Sequence, residues 1–242
     1  HDTEVLGSRS SRTTMERRAD HELMLLQEEV GHLADLAQQA VARAIGAVLH
    51  RQLETAEDVI RGDATVDRLE AMVDERCLRM LALSQPQTVD LRLISMAFKL
   101  ASDLERVGDQ AVNIAQRAVA LLTEPPLSFP RELAGLATIT HTMLKQSVDA
   151  FLLRDTMLAH LICQRDEEVD RLDEQLVRTL LASMSREPRT VRRAVQVVLV
   201  SRHLERVADH ATNIAECAIY LAGGRLERRA MSGVKGPSSI IW

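Results

Sequence analysis

The sequence predicts an all-α protein made of two tandem three-helix bundles that are related by internal duplication. Three observations support this fold class. Aromatic residues make up only 2% of the chain, whereas Ala, Leu, Arg and Glu, which favour helices, dominate it. The 10 Gly and 6 Pro are too few for the many turns of a β-sandwich or barrel. Finally, a twelve-residue segment of the first half recurs in the second half.

Apolar residues with helical spacing place six helices along the chain. In the first half we expect helices over about 20–55, 56–83 and 88–122, and in the second half over about 131–154, 156–184 and 190–222. Pro86 and Pro188 each precede the third helix of their half, where a missing amide proton costs little. Gly223 and Gly224 are expected to end the last helix.

The domain boundaries follow the breaks between these helices. The strongest break lies between Glu124 and Pro130, where three prolines in six residues cannot continue a helix. The predicted domains are an extension or tag remnant at 1–18, a first bundle at 19–123, a Pro-rich linker at 124–130, a second bundle at 131–222 and a tail at 223–242.

The duplication is visible residue by residue. Residues 104–115 read LERVGDQAVNIA and residues 204–215 read LERVADHATNIA, so that nine of the twelve positions are identical at an offset of 100. Upstream, Asp63 and the VDRL sequence at 66–69 match Asp166 and the VDRL sequence at 169–172 at an offset of 103. Two copies of one three-helix unit are the simplest explanation.

Composition excludes several classes of protein. The formal charge of −5 and the pI near 5.9 argue against a nucleic-acid-binding protein, which needs a basic face. The longest apolar run, 194–200, is interrupted by Gln196 and is too short to span a bilayer. Cys77, Cys163 and Cys217 are odd in number and widely separated, so they form no disulfide framework and indicate the cytosol.

The repeated segment carries acidic residues on one side of a helix. Glu105, Asp109 and Asn113 follow one another at i, i+4 and i+8, as do Glu205, Asp209 and Asn213. The opposite side is apolar and is expected to be buried; in the first half it consists of Leu104, Val107, Ala111, Ile114 and Ala118. The repeated asparagines, which are poor helix formers, suggest hydrogen bonds between helices.

The second helix of each half carries a matching acidic stripe. The stripes are Asp63, Asp67, Glu70 and Asp74 in the first half and Asp166, Asp170, Asp173 and Glu174 in the second. If the second and third helices are neighbours, the carboxylates face each other and suit hard or borderline cations, to which His210 would add an imidazole. The alternative is a solvated surface whose charges pair with Arg68, Arg106, Arg171 and Arg206, and the sequence leaves both open.

Other catalytic or cofactor-binding patterns are weak. Glu29 and His32 form a Glu-x-x-His pair of the kind found in di-iron bundles, but those need a second copy facing it. A pair on the helix surface is therefore the preferred interpretation. The sequence contains no Gly-rich phosphate loop, nucleophile elbow or His-Glu-x-x-His motif, and we predict that the protein is not an enzyme.

The repeated LERV(G/A)D segment closely resembles the signature of the PhoU family, over roughly residues 17–222. The resemblance implies a PhoU-like six-helix protein that acts as a homodimeric adaptor in the cytoplasm or at the inner face of the membrane. It also implies repression of the phosphate-starvation response and of phosphate uptake, with the phosphate ABC transporter and its sensor histidine kinase as partners and no nucleic acid.

The resemblance further implies multinuclear iron or zinc, or another divalent metal, on the acidic motifs. Carried over residue by residue, the ligands would be Asp63, Asp67, Glu105 and Asp109 in the first repeat and Asp166, Asp170, Glu205 and Asp209 in the second. Family copies often have His after the Asp and Glu after Asn-Ile-Ala. Only the second repeat keeps both, as His210 and Glu216, so we expect its site to bind metal more tightly.

Two functions of other classes remain as alternatives. One is a spectrin-like helical scaffold, because three-helix repeats of about 100 residues are typical of such arrays; the Pro-rich break at 124–130 argues against it. The other is a metal-binding oxidase of the helical-bundle type, which lacks the paired Glu-x-x-His.

Overall fold

The computed structural model describes residues 2–83 and 88–223, with side chains for 21–82 and 91–223. It contains six long helices, named α1 to α6 in chain order: α1 Asp2–His50, α2 Leu53–Leu83, α3 Thr88–Leu122, α4 Arg131–Leu153, α5 Thr156–Arg186 and α6 Val191–Leu221. A short 3-10 turn, Pro188–Thr190, connects α5 to α6. No strand occurs in the described ranges, so the predicted all-α class is confirmed. None of the described helices is long and apolar enough to cross a membrane.

Two three-helix bundles account for the packing. Helices α1, α2 and α3 pack together, as do α4, α5 and α6, and the bundles meet through α3 against α6 and α1 against α4. The apolar side predicted for α3 is buried throughout. The largest fully buried side chains are divided between the bundles: Leu26, Leu33, Ile94, Leu100, Leu104 and Ile114 in the first, and Leu133, Leu136, Met143, Leu144, Ile162 and Leu176 in the second.

The helix ends agree with the sequence except around α1. The helix α1 begins at Asp2 rather than near residue 20, so it runs through the segment expected to be an extension or tag remnant. Which of the two this segment is stays a prediction. Gly223 follows α6 with a φ of +94°, which confirms the predicted stop. The tail expected beyond it, 224–242, lies outside the described residues.

The break between α1 and α2 lies at Arg51 and Gln52, so the boundary predicted at 55–56 is wrong by a turn. Arg51 adopts a left-handed φ of 55° without being a glycine. Its guanidinium donates hydrogen bonds to the carbonyls of Leu121 (3.1 Å), Leu122 (3.4 Å) and Glu124 (2.9 Å). These bonds satisfy the carbonyls at the end of α3 and hold the turn against it.

The turn between α4 and α5 repeats this geometry. Arg154, at an offset of 103 from Arg51, also has a φ of 55°. Asp155 then caps α5, because its carboxylate accepts a hydrogen bond from the amide of Leu158 at 3.0 Å. The duplication therefore extends to the backbone conformation of the turns.

The interface between α3 and α6 contains two polar pairs related by the same offset of 100. His210 Nδ1 lies 2.9 Å from Asp103 Oδ1, and His203 Nδ1 lies 2.9 Å from Gln110 Oε1. Asn213 Nδ2 also donates to Asp103 Oδ1 at 3.2 Å, which confirms the expected interhelical bond for this asparagine. The pairs fix the register of the two bundles against each other, since a shifted register would leave buried polar groups without partners.

Candidate metal-binding faces

The predicted acidic residues form one surface on each bundle. The first acidic face comprises Asp63, Asp67, Glu70 and Asp74 on α2 with Glu105 and Asp109 on α3; the second comprises Asp166, Asp170 and Asp173 on α5 with Glu205 and Asp209 on α6. Helical spacing presents each set on one side of its helix, and the packing of α2 on α3 and of α5 on α6 brings the two sets of each bundle together.

Repulsion between the carboxylates shows that the first acidic face is assembled. Burial raises the pKa of Asp63, and the charges of Asp67 and Asp109 raise it further. Burial also raises the pKa of Glu105, as do Asp109 and, from α2, Asp67 and Asp63, whereas Arg106 lowers it. Carboxylates of two helices therefore lie close enough to disfavour each other's charge.

Arginine pairing on the first acidic face is limited to weak contacts. Arg106 Nε lies 3.4 Å from Glu105 Oε2, and its Nη1 lies 3.3 Å from Asp109 Oδ2. The Arg106 side chain is 60% exposed, so solvent screens both contacts. The interpretation as a solvated surface with arginine pairs is thus supported only in part, because the pKa values of Glu105 and Asp63 stay raised.

The strongest perturbation lies on the second acidic face. Desolvation by the surrounding protein, followed by the charges of Asp166, Glu205 and Asp170, raises the pKa of Asp209 to about 6, while His210 opposes the shift. Asp166 is itself buried. The carboxyl of Asp209 is therefore held where its charge is disfavoured, although the residue remains exposed on the outer side of α6.

An arginine neutralises part of the second acidic face. Arg202 Nη1 lies 2.7 Å from Glu205 Oε2 and 3.0 Å from Asp173 Oδ2, on a carboxylate that is only 6% exposed. The equivalent position of the first repeat is Ser102, at an offset of 100. The sequence placed Arg202 beside the acidic stripe, but only the packing of α5 on α6 shows that it bridges two carboxylates.

The structure also corrects the expectation for His210. Its ring contacts Asp103 across the interface between the bundles, and the imidazole does not join the second acidic face. The expected advantage of the second site for metal rested partly on this imidazole, and Arg202 further weakens that argument. The predicted asymmetry itself stays untested.

The donor groups suit a cation chemically, although they are not arranged as a finished site. Asp74 Oδ1 and Asp173 Oδ1 are buried without a hydrogen-bond partner, and the neighbouring carboxylates repel one another. Both features are relieved by a positive ion. However, among the side chains that the structure describes, no group of three or more His, Cys, Asp or Glu is placed so that it could hold a metal ion. The carboxylates would have to rotate inward.

The Glu-x-x-His pair has a structural role that the sequence did not show. Glu29 accepts hydrogen bonds from Arg76 Nε and Nη2, both at 2.6 Å, and Glu22 accepts one from Nη1 at 2.8 Å. Arg76 is 15% exposed and ties α2 to α1 through this bidentate pair. Glu29 is therefore engaged in an ion pair between helices, as expected of a surface pair.

A cavity of about 170 Å³ opens beside Asp63 in the first bundle. Its walls come from α1, α2 and α3 and include Val59, Gly62 and Gly108. In the second bundle the residue matching Gly62 is Arg165, whose Nη1 donates a hydrogen bond to Gln146 at 3.1 Å. The two repeats therefore differ most in volume next to their acidic faces.

Comparison with known proteins points to a single family. A sequence model described as the PhoU domain matches residues 30–118 and 133–218. A "Phosphate-specific transport system accessory protein PhoU homolog" of Aquifex aeolicus is 43% identical over 215 residues, which cover 89% of this chain and 97% of that protein. A protein of the same name from Rhizobium meliloti is 35% identical and covers 85% of this chain and 87% of its own length.

Solved structures agree with the sequence comparison. The crystal structure of PhoU from Pseudomonas aeruginosa superimposes with a TM-score of 0.83 at 34% identity, covering 85% of this chain and 99% of that one. The phosphate transport system regulatory protein PhoU from Streptococcus pneumoniae gives a TM-score of 0.80 at 30% identity, covering 86% and 98%. The similarity thus spans both bundles.

Proposed function

The chain belongs to the PhoU family, and from this premise we propose that it represses the phosphate-starvation response and restrains phosphate uptake. In this proposal it acts as a cytoplasmic adaptor, a homodimer, between the phosphate ABC transporter and its sensor histidine kinase. The observation that carries the proposal is that full-length relatives named as accessory proteins of phosphate-specific transport match both repeats of this chain.

The adaptor acts by binding, and no catalytic residue is assigned. Two rigid bundles held in register by the Asp103–His210 and Gln110–His203 pairs present two acidic faces of related geometry. Such paired faces suit a partner that offers basic surfaces, or a cation that bridges to one. The raised pKa of Asp209 supports a binding role, because perturbed carboxylates cluster at functional sites.

The metal in this proposal is iron or zinc, with another divalent ion as the alternative. Asp63, Asp67, Glu105 and Asp109 would hold it on the first acidic face, and Asp166, Asp170, Glu205 and Asp209 on the second. A bound ion would supply positive charge that neutralises the carboxylates and offers open coordination positions. The chain's own part is to hold the carboxylates together on two packed helices and to keep Arg202 against Glu205.

The two alternative functions gain no support from the structure. A spectrin-like array runs one helix from repeat to repeat, whereas α3 ends at Leu122 and α4 begins only at Arg131. An oxidase of the di-iron type needs a free Glu-x-x-His pair, and Glu29 is bound by Arg76. The family match is also to neither class.

The test is a phosphate-starvation reporter at high phosphate in a strain that lacks this gene. The strain is complemented with wild type, with Glu205→Gln/Asp209→Asn, or with Glu167→Gln/Glu168→Gln, a control that removes two exposed charges of α5 outside the acidic face. We expect derepression that wild type and the control reverse and the face variant does not.

The possible outcomes separate the parts of the proposal. Rescue by all three proteins would keep the repressor role and make the second acidic face dispensable. A reporter that stays repressed in the deletion strain would contradict the repressor role itself. The metal content of the purified protein and of the face variant, measured by mass spectrometry, tests metal binding separately.

A further inference from the structure

The end of the second bundle carries a cluster of arginines. The helix α5 ends at Arg186, the 3-10 turn follows, and α6 starts at Val191, so that Arg186, Arg189 and Arg192 lie within two turns of backbone. All three are exposed, and the Arg192 side chain is 87% exposed. We name these three residues the basic tip.

The neighbouring Arg193 serves a different purpose. Its Nη1 donates hydrogen bonds to the carbonyls of Pro126 (3.0 Å) and Pro125 (3.4 Å), and its Nη2 donates to the carbonyl of Arg189 (3.4 Å). Arg193 thereby fastens the Pro-rich linker and the 3-10 turn to the start of α6. The basic tip is thus presented on a backbone that is held in place.

Apolar side chains are exposed beside the basic tip. Val191, Val195 and Leu199 follow one another at i, i+4 and i+8 on α6, and Leu181 lies on the last turns of α5; they are 39%, 42%, 36% and 53% exposed. Single exposed leucines and valines are ordinary on a protein surface. Four of them next to three exposed arginines at one end of a bundle form an amphipathic surface.

The charge of the basic tip is opposite to that of the whole chain. The protein carries a formal charge of −5, whereas the tip holds three arginines and one exposed acid, Glu187. Glu124 of the linker also approaches, at 3.6 Å from Arg192 Nη1. The molecule is therefore polarised, and an anionic surface would attract this end and repel the acidic faces.

We propose that the basic tip and the apolar side chains beside it bind the surface of an anionic lipid bilayer. Guanidinium groups pair well with lipid phosphates, and exposed valine and leucine side chains gain by entering the boundary between headgroups and acyl chains. Binding to nucleic acid would use the arginines but would leave the apolar stripe of α6 without a partner.

The proposed orientation leaves the acidic faces available. Glu205 and Asp209 lie four to five turns along α6 from Val191, which at 1.5 Å per residue is roughly 20–27 Å from the bilayer. A protein bound in this way could meet a membrane transporter while still offering both acidic faces to other partners. The inference concerns a different surface from the proposed function and depends on neither metal nor repression.

Vesicle sedimentation with the full chain, in the presence of EDTA, tests this inference. The probes are vesicles of phosphatidylcholine alone and of a two-to-one mixture of phosphatidylcholine and phosphatidylglycerol. We expect binding to the anionic vesicles only, and weaker binding as salt is raised. With about fivefold in partitioning for each basic residue near an anionic surface, Arg186→Gln/Arg189→Gln/Arg192→Gln should lower binding by on the order of 100-fold.

A matched variant controls for net charge. Arg61→Gln/Arg68→Gln/Arg79→Gln removes the same three charges from exposed positions of α2 and should bind within about twofold of wild type. Leu181→Ser/Val195→Ser should weaken binding severalfold while leaving the salt dependence unchanged. Circular dichroism checks that each variant is folded. Absence of binding by wild type, equal binding to neutral vesicles, or an equal loss in the α2 control would overturn the inference.

Discussion

Replacement of Asp209 by asparagine is expected to stabilise the metal-free protein at neutral pH. The folded state raises the pKa of this carboxyl from 3.8 to about 6, mainly by desolvation and then by the charges of Asp166, Glu205 and Asp170. A group whose pKa is raised by folding favours the folded state while it is protonated. Its contribution is complete below pH 3.8 and is lost as the pH rises through about 6.

The size of the effect follows from the same shift. Two pH units correspond to roughly 3 kcal/mol as a ceiling. Because Asp209 is exposed on one side, screening by solvent reduces this to about 1 kcal/mol. Relative to wild type, Asp209→Asn should therefore gain about 1 kcal/mol in the free energy of unfolding between pH 4 and pH 7.

Urea unfolding followed by circular dichroism, at several pH values and with EDTA, measures this difference. Asp58→Asn is the matched control of opposite sign, because hydrogen bonds from Arg61 and Arg43 lower the pKa of Asp58. This control should be less stable than wild type at pH 7 and should lose the difference as the pH falls below the ordinary pKa of an aspartate. A stability gain for Asp209→Asn that is the same at pH 4 and pH 7 would refute the electrostatic reasoning.

Three further predictions concern the repeats. Gly62→Ala should raise the free energy of unfolding by about 1 kcal/mol, since its Cβ meets nothing within 4 Å; Gly108→Ala should gain less, because its Cβ would lie 3.1 Å from a valine of α2; urea unfolding compares them. Arg51→Ala should cost about 1–3 kcal/mol more than Arg154→Ala, because both change the same left-handed turn but Arg51 also holds three carbonyls of the α3 end and the linker; thermal unfolding that ranks them equally would contradict this. Arg202→Ser should strengthen zinc binding at the second acidic face about fivefold in calorimetry, because it removes a positive charge that contacts two carboxylates; unchanged or weaker binding would contradict this.

Local pattern was enough for the helices and for the duplication. The predicted range of the third helix, 88–122, agrees with α3, because a proline precedes it and a Pro-rich segment follows it. The break at 51–52 could not be predicted in the same way. Arg51 leaves the helix because it bonds to carbonyls some 70 residues away, and nothing in its neighbourhood marks a turn.

The acidic faces were predictable in composition but not in chemistry. A period of 3.6 residues places Glu205 and Asp209 on one side of a helix, and the duplication places a second copy on the first bundle. That Arg202 bridges Asp173 and Glu205 depends on how α5 packs on α6. The raised pKa of Asp209 likewise depends on the burial and charge that this packing imposes.

The sequence by itself determined the all-α class, the repeat and the side of each helix that is buried, because these follow from the spacing of apolar residues along one helix. Only the tertiary structure decided which polar residues became partners. His210 lies next to Asp209 in sequence, yet it turns to Asp103 of the other bundle. The physical reason is that side chains one position apart on a helix point about 100° from each other, so that neighbours in sequence meet different helices.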